Sequence, residues 1–129
     1  MTTLMNAPIH LRDSIAYQPG GIVSRQLLKT TAGNVTLFAF DAGQELTEHT
    51  SPFDALVVVL EGDADISIAG VVHRVRGGEM LQLPAAVPHG VKAATAFKMT
   101  LTMIRALSSR ALTSSPDRTQ ISGAPTIEE

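Results

Sequence analysis

Two histidines stand where a site could form. His49 heads the stretch EHTSPFDALVVVLEG, residues 48 to 62, and His89 follows a proline in PAAVPHG, residues 84 to 90. Imidazole is the commonest metal ligand and a capable general base. Two imidazoles alone hold a metal poorly. Zinc usually takes three protein ligands, and non-haem iron takes two histidines and a carboxylate. Strand parity puts residues 45, 47, 49, 51, 53 and 55 on one face, so Ser51 lies beside His49 while Glu48 and Asp54 point away. Glu45 has the right parity but lies about 13 Å off, at roughly 3.3 Å per residue. A kink at Pro52 would be needed to turn Asp54 inward, and a turn-capping or ion-pairing role suits Asp54 better. His10 falls in a weakly patterned arm, and His73, beside Arg74, reads as a solvated edge histidine.

The elements that must carry these residues are short. Runs of about five to eight residues, dense in β-branched side chains, alternate with Gly, Pro and Asp from residue 20 to residue 106. Examples are NVTLFAF, DALVVVLEG, ADISIAG, VVHRVRGG, EMLQLPA and FKMTLTMI. None of this stretch shows a long helical period. The pattern predicts an all-β sandwich or barrel. We divide the chain into an arm and first strand (1–30), a barrel (31–106) and a polar tail rich in Ser, Thr and Pro (107–129). Val35 to Phe40 and Leu56 to Leu60 are apolar on both faces, which predicts cover on both sides, one of them a subunit interface.

Composition narrows the function. The 129 residues suit one domain, 44% hydrophobic and 17% charged. A net charge of -2 with no basic block turns the reading away from nucleic acid. The chain has no cysteine, which removes disulfides, thiolate zinc sites and cysteine nucleophiles. The N-terminus MTTLMNAPIH lacks a secretory pattern, and no apolar run approaches the ~20 residues that span a bilayer, so a cytoplasmic protein without a membrane partner is expected.

The glycine and histidine spacing resembles the cupin superfamily. Gly43, His49 and Gly62 match its first motif, and Gly78, Pro84 and His89 its second. Between them, DADISIAGVVHRVRG looks like the inter-motif hairpin. The resemblance covers roughly residues 33 to 106 and implies a double-stranded β-helix, or jelly-roll cupin barrel, commonly a homodimer. It is most similar to small single-domain bacterial cupins generally left without assigned function. At the metal positions the pattern departs: Ser51 stands for a second histidine and Ala55 for the glutamate. Ala86 and Ala93 replace the second motif's glycine and asparagine.

These residues predict a small-molecule pocket in which His49, Ser51, Gln82 and His89 are the polar groups. The pair would hydrogen-bond a ligand such as an organic anion. Alternatively, His49 and His89, with Asp54 if a kink turns it inward, would hold a divalent metal (Zn, Fe, Ni or Mn) in a dioxygenase, isomerase or decarboxylase. A third reading is a non-catalytic structural or interaction module with a filled barrel.

Overall fold

A computed structural model describes residues 7–106. The tail assigned to residues 107–129 lies outside the described residues. Nine antiparallel strands form two facing sheets: β1 (Ile22–Thr30), β2 (Gly33–Phe40), β3 (Glu45–His49), β4 (Phe53–Glu61), β5 (Asp63–Ile68), β6 (Val71–Arg76), β7 (Met80–Leu83), β8 (His89–Ala93) and β9 (Phe97–Arg105). Strand order is β1-β2-β9-β4-β7 in one sheet and β3-β8-β5-β6 in the other. Strands far apart in sequence, such as β2 and β9 or β3 and β8, are therefore neighbours in a sheet, giving the expected jelly roll.

The core lies between the sheets. Phe40, Val57, Val59, Ala64, Ile66, Leu83, Phe97 and Met99 are buried there. Phe40 and Phe97 stack, with ring centroids 4.7 Å apart. Gly62 ends β4 with φ +81°, and a Cβ on it would sit 2.1 Å from the Ala96 carbonyl oxygen. Both conditions require glycine.

The doubly apolar β2 has a local explanation. Its even residues Phe38 and Phe40 face the core, while Leu37 and Ala39 face outward under Ile15 and Tyr17 of the arm. The arm of this same chain thus covers that face, where a subunit interface was expected. A 3-10 turn, Leu11–Ser14, leads into it. The Ser14 carbonyl accepts from Arg25 Nη1 at 2.8 Å. Tyr17 donates to Glu61 Oε2 at 2.6 Å. The buried Lys98 donates to the Arg12 carbonyl at 2.5 Å and lies 3.9 Å from Glu61. These contacts give the ammonium of Lys98 the partners its burial requires.

Candidate functional site: a cavity with a histidine pair at its mouth

The site depends on an irregularity in β3. Leu46 pairs with Val91, but the next pair is His49 with His89, so β3 carries one residue more than β8 between them. This bulge breaks the parity of β3. Leu46 and His49 both line the space between the sheets. Glu45, opposite Lys92, lines a groove on the outer side together with Glu48. The parity expected from a regular strand put Glu45 on the face of His49. The bulge separates them.

Register then lays His49, His89, Ile68 and Val71 in one row across the four-stranded sheet. The two imidazole centroids are 4.7 Å apart with ring planes inclined at 60°. His89 is buried, at 8% exposure, and His49 is exposed at the rim. His49 Nδ1 lies 2.9 Å from the Thr47 carbonyl, and His89 Nδ1 lies 3.3 Å from the Val87 carbonyl. A carbonyl oxygen only accepts, so each Nδ1 is assigned a proton, and in the neutral form of either ring Nε2 is the nitrogen with the lone pair. The backbone two residues upstream thus orients both rings.

These rings border a cavity of about 310 Å³ whose walls include Phe53, Ala55, Leu83, Leu101, Met99 and Met103. Among the described residues its lining is apolar apart from the histidines, Thr50 and Ser51, with no Lys or Arg. The Ser51 hydroxyl accepts from the Phe53 amide at 3.1 Å, and its carbonyl accepts from the Ala86 amide at 2.8 Å. Ser51 therefore ties the rim loop to the loop that delivers His89.

Two residues chosen from the sequence stand elsewhere. Gln82 is exposed and is the register partner of Leu56, whereas its neighbour Leu83 lines the cavity. Strand alternation sends its amide to the outer face, so Gln82 is not a pocket residue. Asp54 likewise faces outward, and its Oδ1 accepts from the Ala85 amide at 2.9 Å. Pro52 does not turn it inward, and Asp54 is corrected from candidate ligand to anchor of the loop before His89. His73 is exposed on the edge strand β6.

Sequence reasoning missed Met103. It lines the cavity and is the direct register partner of Ala55. Only the pairing of β4 with β9 reveals this, since the two residues are far apart in sequence.

Residues 36–105 match a family described as the Cupin domain. This chain belongs to the cupin family. A conserved Streptococcus pyogenes protein of unknown function is 32% identical, with a TM-score of 0.75 over 79% of this chain and 90% of that one. A cupin 2 conserved barrel domain protein from Leptotrichia buccalis is 37% identical, with a TM-score of 0.69 over 72% of this chain and 45% of that one. A cupin superfamily protein from Desulfitobacterium hafniense shares the fold, at 23% identity and a TM-score of 0.74 over 78% of this chain and 92% of that one. No curated protein matches.

The resemblance drawn from the sequence leaves His49 and His89 as the two matches to a cupin metal motif. Among the described residues no cluster of three His, Cys, Asp or Glu side chains could hold a metal. Ala55 supplies a methyl group where the resemblance called for a carboxylate, and the Ser51 hydroxyl is engaged with backbone. A neutral two-nitrogen set does not fit Zn, Fe, Ni or Mn in the manner of the cupin enzymes.

Proposed function

We propose that this cupin binds a small neutral molecule, with an apolar body in the cavity and a hydrogen-bond donor at the histidine pair. The observation that carries the reading is the pair itself. Both Nδ1 atoms are committed to backbone, leaving two adjacent Nε2 acceptors at the end of an apolar cavity. Acceptors select donors, such as the hydroxyls of a phenol or a vicinal diol. Thioether and aromatic walls favour a flat ring over a sugar. The described residues of the lining hold no Lys or Arg to pair with the organic anion considered from sequence. An open cavity also argues against a filled, purely structural barrel.

The test is thermal unfolding with catechol, phenol, cyclohexane-1,2-diol and benzoate. A ligand of the folded state at one hundred times its Kd adds about 2.7 kcal/mol. Catechol should raise Tm most and benzoate least, and His49→Ala with His89→Ala should abolish the shift. Equal shifts for all four compounds, or shifts that survive the double substitution, would overturn the reading.

The same proposal takes the protein to be a homodimer in the cytoplasm. Leu28, Val35, Leu56, Val58, Met80 and Ile104 form an outer strip on the five-stranded sheet beyond the arm's cover. Leu28, Met80 and Ile104 are 58%, 65% and 56% exposed. Asp54, on the same strip, is bonded to Ala85. An apolar strip with little charge can pack against its own copy about a two-fold axis without opposing like charges, which supports a second copy of the chain as occupant.

A further inference from the structure

The inner face of the five-stranded sheet runs on past the histidine cavity. Register places Lys29, Asn34, Met103 and Ala55 in one row across β1, β2, β9 and β4, with Arg105 opposite Phe53 in the next. Residues directly opposite share a face, so Lys29 and Arg105 stand on the face that carries the cavity wall. Ser24, Gln26 and Lys29, which share the inner face of β1, are exposed, so the facing sheet stops short of this strand. A second hollow of about 510 Å³ lies here, and Lys29, Thr30, Thr31, Asn34, Phe53 and Arg105 line it. Phe53 is a wall of both spaces, so the hollow adjoins the histidine cavity.

Three features fit this hollow to an anion. First, its two cations are brought together from different strands. Arg105 Nη2 donates to the Thr31 carbonyl at 2.9 Å. That bond draws the guanidinium from the end of β9 to the turn between β1 and β2, two residues from Lys29. It spends one of the five N–H donors that a guanidinium carries. Second, the charge is uncompensated. Among the described residues neither Lys29 nor Arg105 has an ion-pair partner, and no Asp or Glu lines the hollow. Like charges in one hollow repel, and a bound anion relieves the repulsion. Third, the Phe53 ring sets an apolar wall beside the charges.

We infer that this hollow binds the phosphate group of a small organic phosphate, with Arg105 and Lys29 on its oxygens and Phe53 against its organic part. A guanidinium matches phosphate oxygens in pairs, and a lysine adds a point charge. A phosphate monoester, as a dianion, meets both cations, whereas a monocarboxylate leaves one unmatched. The site lies outside the histidine pair and goes beyond the small-molecule reading of the cavity, and each can fail without the other.

The full chain is titrated calorimetrically with phenyl phosphate, inorganic phosphate, succinate and benzoate at low ionic strength, where exposed charges are least screened. Phenyl phosphate should bind once per chain and most tightly of the four, and benzoate most weakly. Lys29→Ala and Arg105→Gln should each weaken phenyl phosphate by about fivefold or more. Lys92→Gln, which removes an exposed cation from the other sheet, should leave its affinity unchanged. His49→Ala with His89→Ala should also leave it unchanged, which separates the hollow from the cavity. Lys29→Ala and Arg105→Gln should keep the Tm of the free protein within a few degrees and the catechol shift in full. Absence of saturable phenyl phosphate binding, or undiminished binding in Lys29→Ala or Arg105→Gln, would overturn the inference. So would an equal loss in Lys92→Gln, which marks a general charge effect, or loss in the double histidine variant, which moves the ligand to the cavity. Succinate binding as tightly as phenyl phosphate would replace the phosphate ester by a dicarboxylate and overturn the assignment of ligand class.

Discussion

At the residue scale, the least replaceable side chain is one that is absent. Gly62 combines a left-handed backbone with an Ala96 carbonyl oxygen where a Cβ would go. Gly43 has a similar φ, +83°, but open space around it. Gly43→Ala should cost about 1–2 kcal/mol from backbone strain alone. Gly62→Ala adds overpacking and should cost a further 1–3 kcal/mol or about that. Urea midpoints of the two variants would separate the contributions. Tyr17 supplies a pH signature. Its phenol is held well above the ordinary value, first by burial, then by its bond to Glu61 and the charge of that carboxylate. A group whose pKa is raised by folding stabilises the fold below its unfolded value and loses that stabilisation as pH rises. Stability should therefore be unaffected at neutral pH and decline above about pH 10. Tyr17 is the only tyrosine in the chain, so phenolate absorbance reports it directly. Tyr17→Phe should remove this part of the alkaline decline, read as the urea midpoint against pH.

At the element scale, two turns are held by alanine where a smaller or more polar residue fits better. Ala69 has φ 50° and precedes Gly70 at φ 84°, joining β5 to β6 in a two-residue turn. Positive φ at both positions is the pattern that favours Asn-Gly. Ala69→Asn should stabilise the protein by about 0.5–1 kcal/mol, measured by chemical unfolding. Ala86, at φ 65°, lies in the loop between β7 and β8 and occupies the glycine place of the second motif. That loop is fastened from outside by Asp54, through the Ala85 amide, and from the rim by the Ser51 carbonyl. Asp54→Ala leaves the Ala85 amide without its acceptor and should cost about 1–3 kcal/mol. Because the loop carries His89, the same variant should also weaken whatever ligand the histidine pair binds, although Asp54 never reaches the cavity.

At the scale of the whole molecule, the arm and the outer strip divide one sheet face between them. Ile15 and Tyr17 close the part over Leu37 and Ala39, while Leu28, Met80 and Ile104 remain open to solvent. If a second copy covers the strip, Ile104→Lys should give a monomer by light scattering, with the arm's contacts and the cavity unchanged. A natural protein that is already monomeric at micromolar concentration would refute the dimer.

Much of this barrel was readable in one dimension. Strand-length runs, turn residues and the spacing of Gly43, His49, Gly62, Gly78, Pro84 and His89 pointed to the cupin fold, because local backbone demands leave local residue signatures. That spacing singled out His49 and His89, and the register of β3 on β8 brought their rings together. The rest depended on pairing between distant strands. An extra residue in β3 set which of Leu46, Glu45 and Glu48 faces inward, alternation removed Gln82, and an amide of another loop claimed Asp54. The place of Met103 beside Ala55 came from the register of β4 on β9. A register shift of one residue reverses every facing in a strand, and that choice is made by packing across the sheets, so the donor set of the cavity belongs to the tertiary structure.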